Sequence, residues 1–493
     1  MPHRLSVIAA VGAALALFVV SAATAAIQAP DTTSQTNDTT TPACTSPAPV
    51  VHYAWYHCYT PSDITSAYGV NTVQAQGVEG QGQTIVLVDS YGSPTAASDL
   101  QYFHDTFYPS LPSPNFQELY PNGQPDYQNV GNGQSGSSGA AGWSGEATLD
   151  IEWSYAIAPL AHIVLIAVPP AETEGVQGFP NLFKAISDEI DATPDGTVFS
   201  MSFGVTEQTF GGAASSQTAK FDAVFQKGIA KGDTFFASSG DSGSQGVSKQ
   251  HRESATYAYP TDGWPASSPY VTAVGGTQLQ YGWAWNPTSD IAFNADGSAN
   301  PNYFAYVSGG NLNAVWNESW LPAASGGGPS VLYPRPSWQN GVAGVIGGNA
   351  RGVPDVAWNA AVNGGVLVYI TAFPQIQRQG WHVYGGTSAA SPQVAALTAL
   401  AEQERAAAHK RPLGNIDPLL YANPQWFTDV QPVTEGTAQS GQLVNNREWD
   451  YNGDGLAVTP DAVPGWPVLS GYDMTTGLGT PNAPAYVSGL AGS

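Results

Sequence analysis

Basic residues are scarce in this chain of 493 residues: 14 Lys plus Arg stand against 38 Asp plus Glu, a formal net charge of −24 at pH 7. A surface of that sign repels polyanions, which argues against nucleic acid and anionic membranes as partners. Cysteine is nearly absent too. Cys44 and Cys58 are the only two, too few for a disulfide-stapled scaffold. Long apolar runs are also missing after residue 26, so no later segment is expected to span a bilayer.

The one long apolar run, Leu5 to Val20, follows Arg4 and leads to Ala23-Thr24-Ala25-Ala26. Residues 1–26 therefore read as a secretory signal peptide cleaved near Ala25 or Ala26, and a secreted, extracellular, soluble product is expected. In that setting Cys44 and Cys58 are expected to form one short-loop disulfide, with free thiols as the alternative. Residues 27–58, rich in Thr, Ser, Pro and Ala at their start, read as a disordered leader, and 59–493 as one structured domain. A chain with few bases gains little positive self-repulsion when acid protonates its carboxylates, so acid tolerance is plausible; ordinary solubility at neutral pH accounts for the same composition.

Along that domain, buried-strand and helix patterns alternate. Thr84–Asp89, 162–168, 197–203, 234–238, 270–274 and 365–371 are apolar and rich in β-branched or aromatic residues. Residues 181–192 and 216–231 carry helical spacing. Such alternation predicts an α/β fold with a mostly parallel central sheet and helices on both faces. Residues 278–330 dissolve into Gly, Asn, Trp and Tyr and read as surface loops, with room for short antiparallel strands.

Three stretches carry possible chemistry. Tyr384-Gly385-Gly386-Thr387-Ser388-Ala389-Ala390-Ser391-Pro392 reads as a tight turn opening a buried helix, with Pro392 expected in its first turn. A Ser held at such a helix start suits a nucleophile, although Gly-Thr-Ser also makes a plain N-cap. No histidine stands in a setting that would make it the base for Ser388. Glu146 and Asp150 lie at i, i+4 on a helical pattern without Lys or Arg nearby, which favours a proton-sharing pair over a solvated acidic face. Ser238-Ser239-Gly240-Asp241 ends a strand on a glycine turn; alone it is ordinary turn chemistry.

Together, Gly386-Thr387-Ser388-x-x-x-Pro392, Glu146-x-x-x-Asp150 and Ser238-Ser239-Gly240-Asp241 resemble the sedolisin family of serine-carboxyl peptidases, acid-acting enzymes on a subtilisin-like fold. Ser200 to Gly204, Ser267 to Thr277 and Arg351 to Val356 look like further blocks of that family, in its order, so the resemblance covers roughly 59–490. It implies Ser388 as nucleophile, Glu146 as general base, Asp150 as the residue that orients and shares a proton with Glu146, and Asp241 as the carboxyl donating to the oxyanion. Asp89 looks like an acidic supporting position of some members, or is a simple strand-end Asp. Carboxylate chemistry of this kind runs in acid, where a His base is protonated.

The resemblance also implies one structural Ca²⁺ near the C-terminus, held by Asp429 and Asp473 side chains and by carbonyls of Val430, Leu469 and Gly471, an all-oxygen set. A second calcium loop is conceivable at Asp450, Asn452, Asp454 and Asp461, whose spacing matches an EF-hand loop without flanking helices. Two departures stand out. Residues 27–58 are too short for the folded pro-domain common in the family, and Phe203 replaces a common Trp. The resemblance implies a monomeric endopeptidase acting on proteins or peptides. A non-catalytic secreted binder of peptide or glycan on the same fold, and a histidine-dependent subtilisin-like enzyme, are the alternatives.

Overall fold

The computed structural model describes residues 58–125, 127, 135–168, 176–246, 257–284, 307–318, 323–362, 364–374, 379–434, 442–447 and 463–493. Cys44 and the Asp450–Asp461 loop lie outside them, as do the signal segment and almost all of the leader.

The core is an eight-stranded sheet built from β1 (Thr84–Asp89), β2 (Asn115–Leu119), β3 (His162–Ala167), β4 (Val198–Met201), β5 (Thr234–Ser238), β6 (Thr272–Ala284), β7 (Val307–Val315) and β8 (Val356–Asn359). Across the sheet the order is β7-β6-β5-β4-β1-β3-β2, with β8 also paired to β6. Every pairing is parallel except β7 against β6. All six residues of β1 are buried. A strand covered on both faces has no reason to alternate, which is why Ile85-Val86-Leu87-Val88 is uninterrupted apolar.

The helices that matter for function are α1 (Ser135–Ile157), α2 (Phe179–Ala192), α3 (Ala214–Lys231) and α4 (Thr387–Ala407). α4 runs through the middle of the molecule, packed on α1 and on five strands of the sheet. Every residue from Thr387 to Glu402 is buried. A helix so enclosed must be small on all sides, and its Ala-rich sequence meets that need. α2 and α3 pack on each other, with Phe179, Phe183, Phe221 and Trp264 in mutual edge-to-face and tilted ring contacts. Phe203 joins this cluster, its ring 6.0 Å from that of Phe179. A phenyl ring is at home there, since nothing in the cluster asks for an indole N–H.

The mostly parallel sheet and its helices agree with the sequence reading. Three details do not. Residues 278–330 are not surface loops throughout: β6 extends to Ala284 and pairs antiparallel with β7, and Ala323 to Gly328 is buried. The helix after the Gly-Gly turn starts at Thr387 itself, so Pro392 stands in its second turn rather than its first. Lacking an N–H, Pro392 cannot bond the carbonyl of Ser388 four residues earlier. Finally, β4 ends at Met201, leaving Ser202 and Phe203 just beyond the strand.

Candidate active site

Four chain segments meet where the parallel strands end: the start of α4, the middle of α1, the residues after β4, and the turn after β5. α4 brings Ser388 in its first turn, immediately after Gly386 and Thr387. Gly386 has φ of 95°, a backbone conformation that side chains disfavour, so the turn depends on glycine there. Its N–H donates to the Ala360 carbonyl at 2.6 Å, fixing the turn to the end of β8. Further along α4, Ser391 and Ser200 exchange a hydroxyl hydrogen bond of 3.0 Å, and Trp358 Nε1 donates to Gln393 Oε1 at 3.0 Å. The helix that carries Ser388 is thus pinned to β4 and β8 along its length.

α1 places Glu146 and Asp150 one turn apart, both buried. The solvated-face alternative is therefore excluded. Burial, first, and the neighbouring Glu146 charge, second, push the Asp150 carboxyl well above the ordinary carboxylate range. The Ser202 hydroxyl, donating to Asp150 Oδ1 at 3.0 Å, opposes that shift. Two carboxyls so placed titrate as a coupled pair rather than independently.

Packing against the hairpin that precedes α4, strands β9 (Gly365–Ile370) and β10 (Gly380–Tyr384), holds α1 in register. Trp153 Nε1 donates to the Leu367 carbonyl at 2.8 Å, and the Tyr369 N–H donates to Glu152 Oε2 at 2.9 Å. One residue before Glu146, Gly145 leaves the space that Tyr384 fills: a Cβ there would stand 2.2 Å from the Tyr384 hydroxyl oxygen. Helix α1 and the turn that opens α4 are fitted together at that point.

The turn after β5 brings Asp241. Both the N–H and the hydroxyl of Thr387 donate to Asp241 Oδ1, each at 2.8 Å. The same hydroxyl accepts the Gly240 N–H at 3.0 Å, so its rotor is fixed. Oδ2 of Asp241 has no hydrogen-bond partner among the described residues. Burial raises this carboxyl to about 6, partly offset by the Thr387 N–H and hydroxyl. The turn itself is held from outside by the segment 323–328: the Ala324 N–H donates to the Asp241 carbonyl at 2.9 Å and the Gly326 N–H to that of Gly240 at 2.7 Å.

Asp89 is buried at the end of β1, whose carboxyl end faces the same region of the fold. Of the histidines, His104 pairs with the Tyr155 hydroxyl at 2.6 Å, and His382 is buried in β10. Thr387, Tyr384, Ser202 and Trp153 are supporting residues to which sequence reading gives no role of their own. Thr387 and Tyr384 stand in the stretch around Ser388, and Ser202 in the Ser200 to Gly204 block.

The subtilase family model matches residues 98–444 of the sequence. The chain belongs to the subtilase family. Among curated relatives this subtilase is 31% identical to kumamolisin of Bacillus sp. (strain MN-32) over 284 residues, 57% of this chain and 41% of that protein. It is 30% identical to sedolisin of Pseudomonas sp. (strain 101) over 190 residues, covering 37% and 26% of the two. Tripeptidyl-peptidase 1 of Homo sapiens is 30% identical over 244 residues, 48% and 34%. The chain spans less than half the length of these relatives. Among solved structures, Pseudomonas sedolisin, described as a serine-carboxyl proteinase complexed with two molecules of pseudo-iodotyrostatin, aligns over 87% of this chain and 97% of its own, with a TM-score of 0.59 and 24% identity. The fold of this subtilase is therefore subtilisin-like, and its relatives bear out the sedolisin resemblance.

The calcium ligands expected from sequence lie on two loops that do meet. The Gly471 N–H donates to Asp429 Oδ2 at 2.9 Å, and the Gln431 amide donates to the same oxygen. Oδ1 of Asp473 accepts from the N–H and hydroxyl of Thr475 (2.9 and 2.6 Å) and of Thr476 (2.7 and 3.1 Å). Its Oδ2 takes the Leu469 N–H, at 3.0 Å. Among the described residues no group of three or more His, Cys, Asp or Glu side chains could hold a metal. A cation here would therefore rest on Asp473 Oδ2, Asp429 and backbone carbonyls. That hard-oxygen donor set fits Ca²⁺.

Proposed function

We propose that this chain is an exported serine-carboxyl endopeptidase that cuts proteins and peptides in acid, as a monomer. One observation carries the reading. Asp241 has one oxygen committed to Thr387, next to Ser388, and the other buried without a partner among the described residues. A carboxyl in that position can donate a hydrogen bond only while neutral, and at about 6 it becomes neutral on going into acid.

The steps are those that the sedolisin resemblance implies for these residues. Ser388 Oγ attacks the scissile carbonyl carbon and gives its proton to Glu146. The carbonyl oxygen, now negative, takes a hydrogen bond from protonated Asp241. Collapse expels the amine, which receives the proton from Glu146, and a water activated by Glu146 then cleaves the acyl-Ser388 ester. Asp150 shares the one proton of the resting pair with Glu146, and the pair carries a second only while it holds the proton taken from Ser388 or from the attacking water. Ca²⁺, held by Asp429 and Asp473 with carbonyls of Val430, Leu469 and Gly471, would supply only fixed positive charge between the two loops.

Two measurements test this reading. Cleavage of a denatured protein, followed by mass spectrometry across pH, should rise as pH falls through about 6, where Asp241 gains its proton, and fall again once the Glu146–Asp150 pair is doubly protonated. A maximum of kcat/KM above neutrality would contradict it and point to a histidine base. Calcium has its own readout. At pH 6.5, removing calcium with a chelator should lower Tm by roughly 5 °C or more, the scale of a ligand held well above its Kd. Asp429→Asn should abolish that response. A Tm indifferent to calcium in the parent protein would refute the metal site.

A further inference from the structure

Strand β9 has one side that no strand covers along most of its length. In an antiparallel pair every second residue turns its N–H and C=O away from the partner. Opposite β10, the short strand Cys58–Tyr59 meets β9 only at Gly365 and Val366. Beyond Val366 no strand among the described residues pairs there. What lies against that side is α1 and the helix Ala96–Phe107. A helix uses its backbone groups on itself, so a strand edge facing one is bonded by side chains or left unpaired.

Here side chains do it, on alternate residues. Trp153 Nε1 donates to the Leu367 carbonyl, and the N–H groups of Tyr369 and Thr371 donate to Glu152 Oε2 and Asp99 Oδ2, at 2.9 and 3.0 Å. The hydroxyls of Thr371 and Thr95 add bonds to Asp99 Oδ1 and Oδ2, at 2.5 and 2.6 Å. Two carboxyls thus stand where a neighbouring strand would offer carbonyls.

Charge is not what these carboxyls supply. Both are buried, and neither has an ion-pair partner among the described residues. The titratable groups around them are each other, Tyr369, and Tyr102, whose ring stacks on that of Tyr369 at 3.9 Å. His104, on the same helix as Asp99, is bonded to Tyr155. Burial pushes Glu152 well above the ordinary carboxylate range, with the Tyr369 N–H opposing and Asp99 adding to it. Burial raises Asp99 too, against the bonds from Thr371 and Thr95. In acid both gain protons, and a neutral carboxyl still accepts an N–H through its carbonyl oxygen.

The place of these bonds gives them consequence. Glu152 lies roughly 9 Å along α1 from Glu146. β10, the other strand of the hairpin, runs through Tyr384 directly into the turn that carries Ser388. Trp153 alone would leave α1 free to pivot on β9; Glu152 adds a second fixed point at the next outward residue. The bond at Tyr369 therefore bears on how far Glu146 stands from Ser388, and a misplacement of about 1 Å at such a pair costs on the order of a hundredfold in rate.

We propose that Glu152 is a positioning residue of the reaction: with Asp99 it completes the outer side of β9 in place of a strand, and so sets the Ser388 turn against Glu146 and Asp150. The inference rests on the peptidase reading above. Glu152→Gln and Glu152→Leu separate this role from packing. Both keep the volume close, but only glutamine keeps an oxygen for the Tyr369 N–H, as the neutral carboxyl does. In the full chain at pH 4, on a peptide the parent cuts, Glu152→Leu should lower kcat at least about tenfold with KM within about twofold, while Glu152→Gln stays within about threefold of parental kcat. Circular dichroism at the assay temperature establishes folding. Thr371→Val, at a half-buried position, removes the hydroxyl bond to Asp99 and should lower kcat about threefold at unchanged KM. Should Glu152→Leu fail to fold, that variant decides, and parental kcat in it overturns the inference. A folded Glu152→Leu with parental kcat, however low its Tm, leaves Glu152 a packing residue and overturns the inference, as do equal losses in the Gln and Leu variants. A parent that cuts no peptide removes the peptidase reading, and this inference with it; a parent that cuts, matched by its variants, removes this inference alone.

Discussion

Ser388→Ala and Glu146→Gln, each made alone, are expected to lower kcat by on the order of a thousandfold or more, with the protein still folded. The two residues act as one unit, since a hydroxyl without a base is a poor nucleophile and a base without the hydroxyl has no proton to take. The double variant should therefore be little worse than either single one. Both changes conserve volume closely in a region that is fully enclosed, so little cavity opens. Glu146→Gln also removes the charge that raises Asp150, so that variant should hold its stability better than the parent as pH rises. Far-ultraviolet circular dichroism and a thermal melt establish folding, and single-substrate kinetics in acid give the rate. A purified, folded variant of either kind that keeps more than a few per cent of parental kcat would remove these residues from the roles assigned.

Stability should run opposite to the usual acid-denaturation profile: the protein is expected to melt higher at pH 4 than at pH 7, by on the order of 10 °C. The sign follows from the buried carboxyls. Burial raises Asp241 and Asp222 to about 6, and Glu402 and Asp233 to about 7, from ordinary values near 4. Glu152 and Asp417 are pushed well above the ordinary range, again first by burial. A group whose pKa is higher folded than unfolded binds more protons in the native state between the two values. Stability therefore falls as pH climbs from about 4 towards 7, because each such carboxyl must then ionise where water cannot reach it. Calorimetry at constant ionic strength, on Ser388→Ala to prevent self-digestion, measures this directly. Asp222→Asn and Glu402→Gln should each flatten the slope near neutrality. A Tm that stays level or rises from pH 4 to 7 would show that these groups ionise freely in the folded chain.

The sheet strands are legible in the sequence because a buried parallel strand announces itself as an unbroken apolar run, as in Thr84–Asp89 and Thr234–Ser238. The same holds for Glu146 and Asp150: two acids at i, i+4 on an apolar helix, with no base nearby, must either share a proton or repel one another. What escapes is whatever depends on residues far apart in sequence. Ala323 to Gly328 looks like a glycine-rich surface loop, yet it is buried and bonds the carbonyls of Gly240 and Asp241. Composition reports flexibility at such a segment, whereas burial is decided by what lies over it. Pro392 falls one turn further into its helix than the sequence suggests, because helix ends are set by capping geometry that a Gly-Gly-Thr-Ser string does not fix.

The contact between Gly145 and the Tyr384 hydroxyl has an evolutionary consequence. The two positions constrain one another: a larger residue at 145 displaces the tyrosine ring, and a smaller one at 384 opens a void beside α1. Substitution at one of them is favoured by a compensating change at the other, one on α1 and one on the strand before α4. A lineage that kept both would inherit the fit of α1 against the turn before α4 as a single unit, and one that lost either would pass through an intermediate with the two elements out of step.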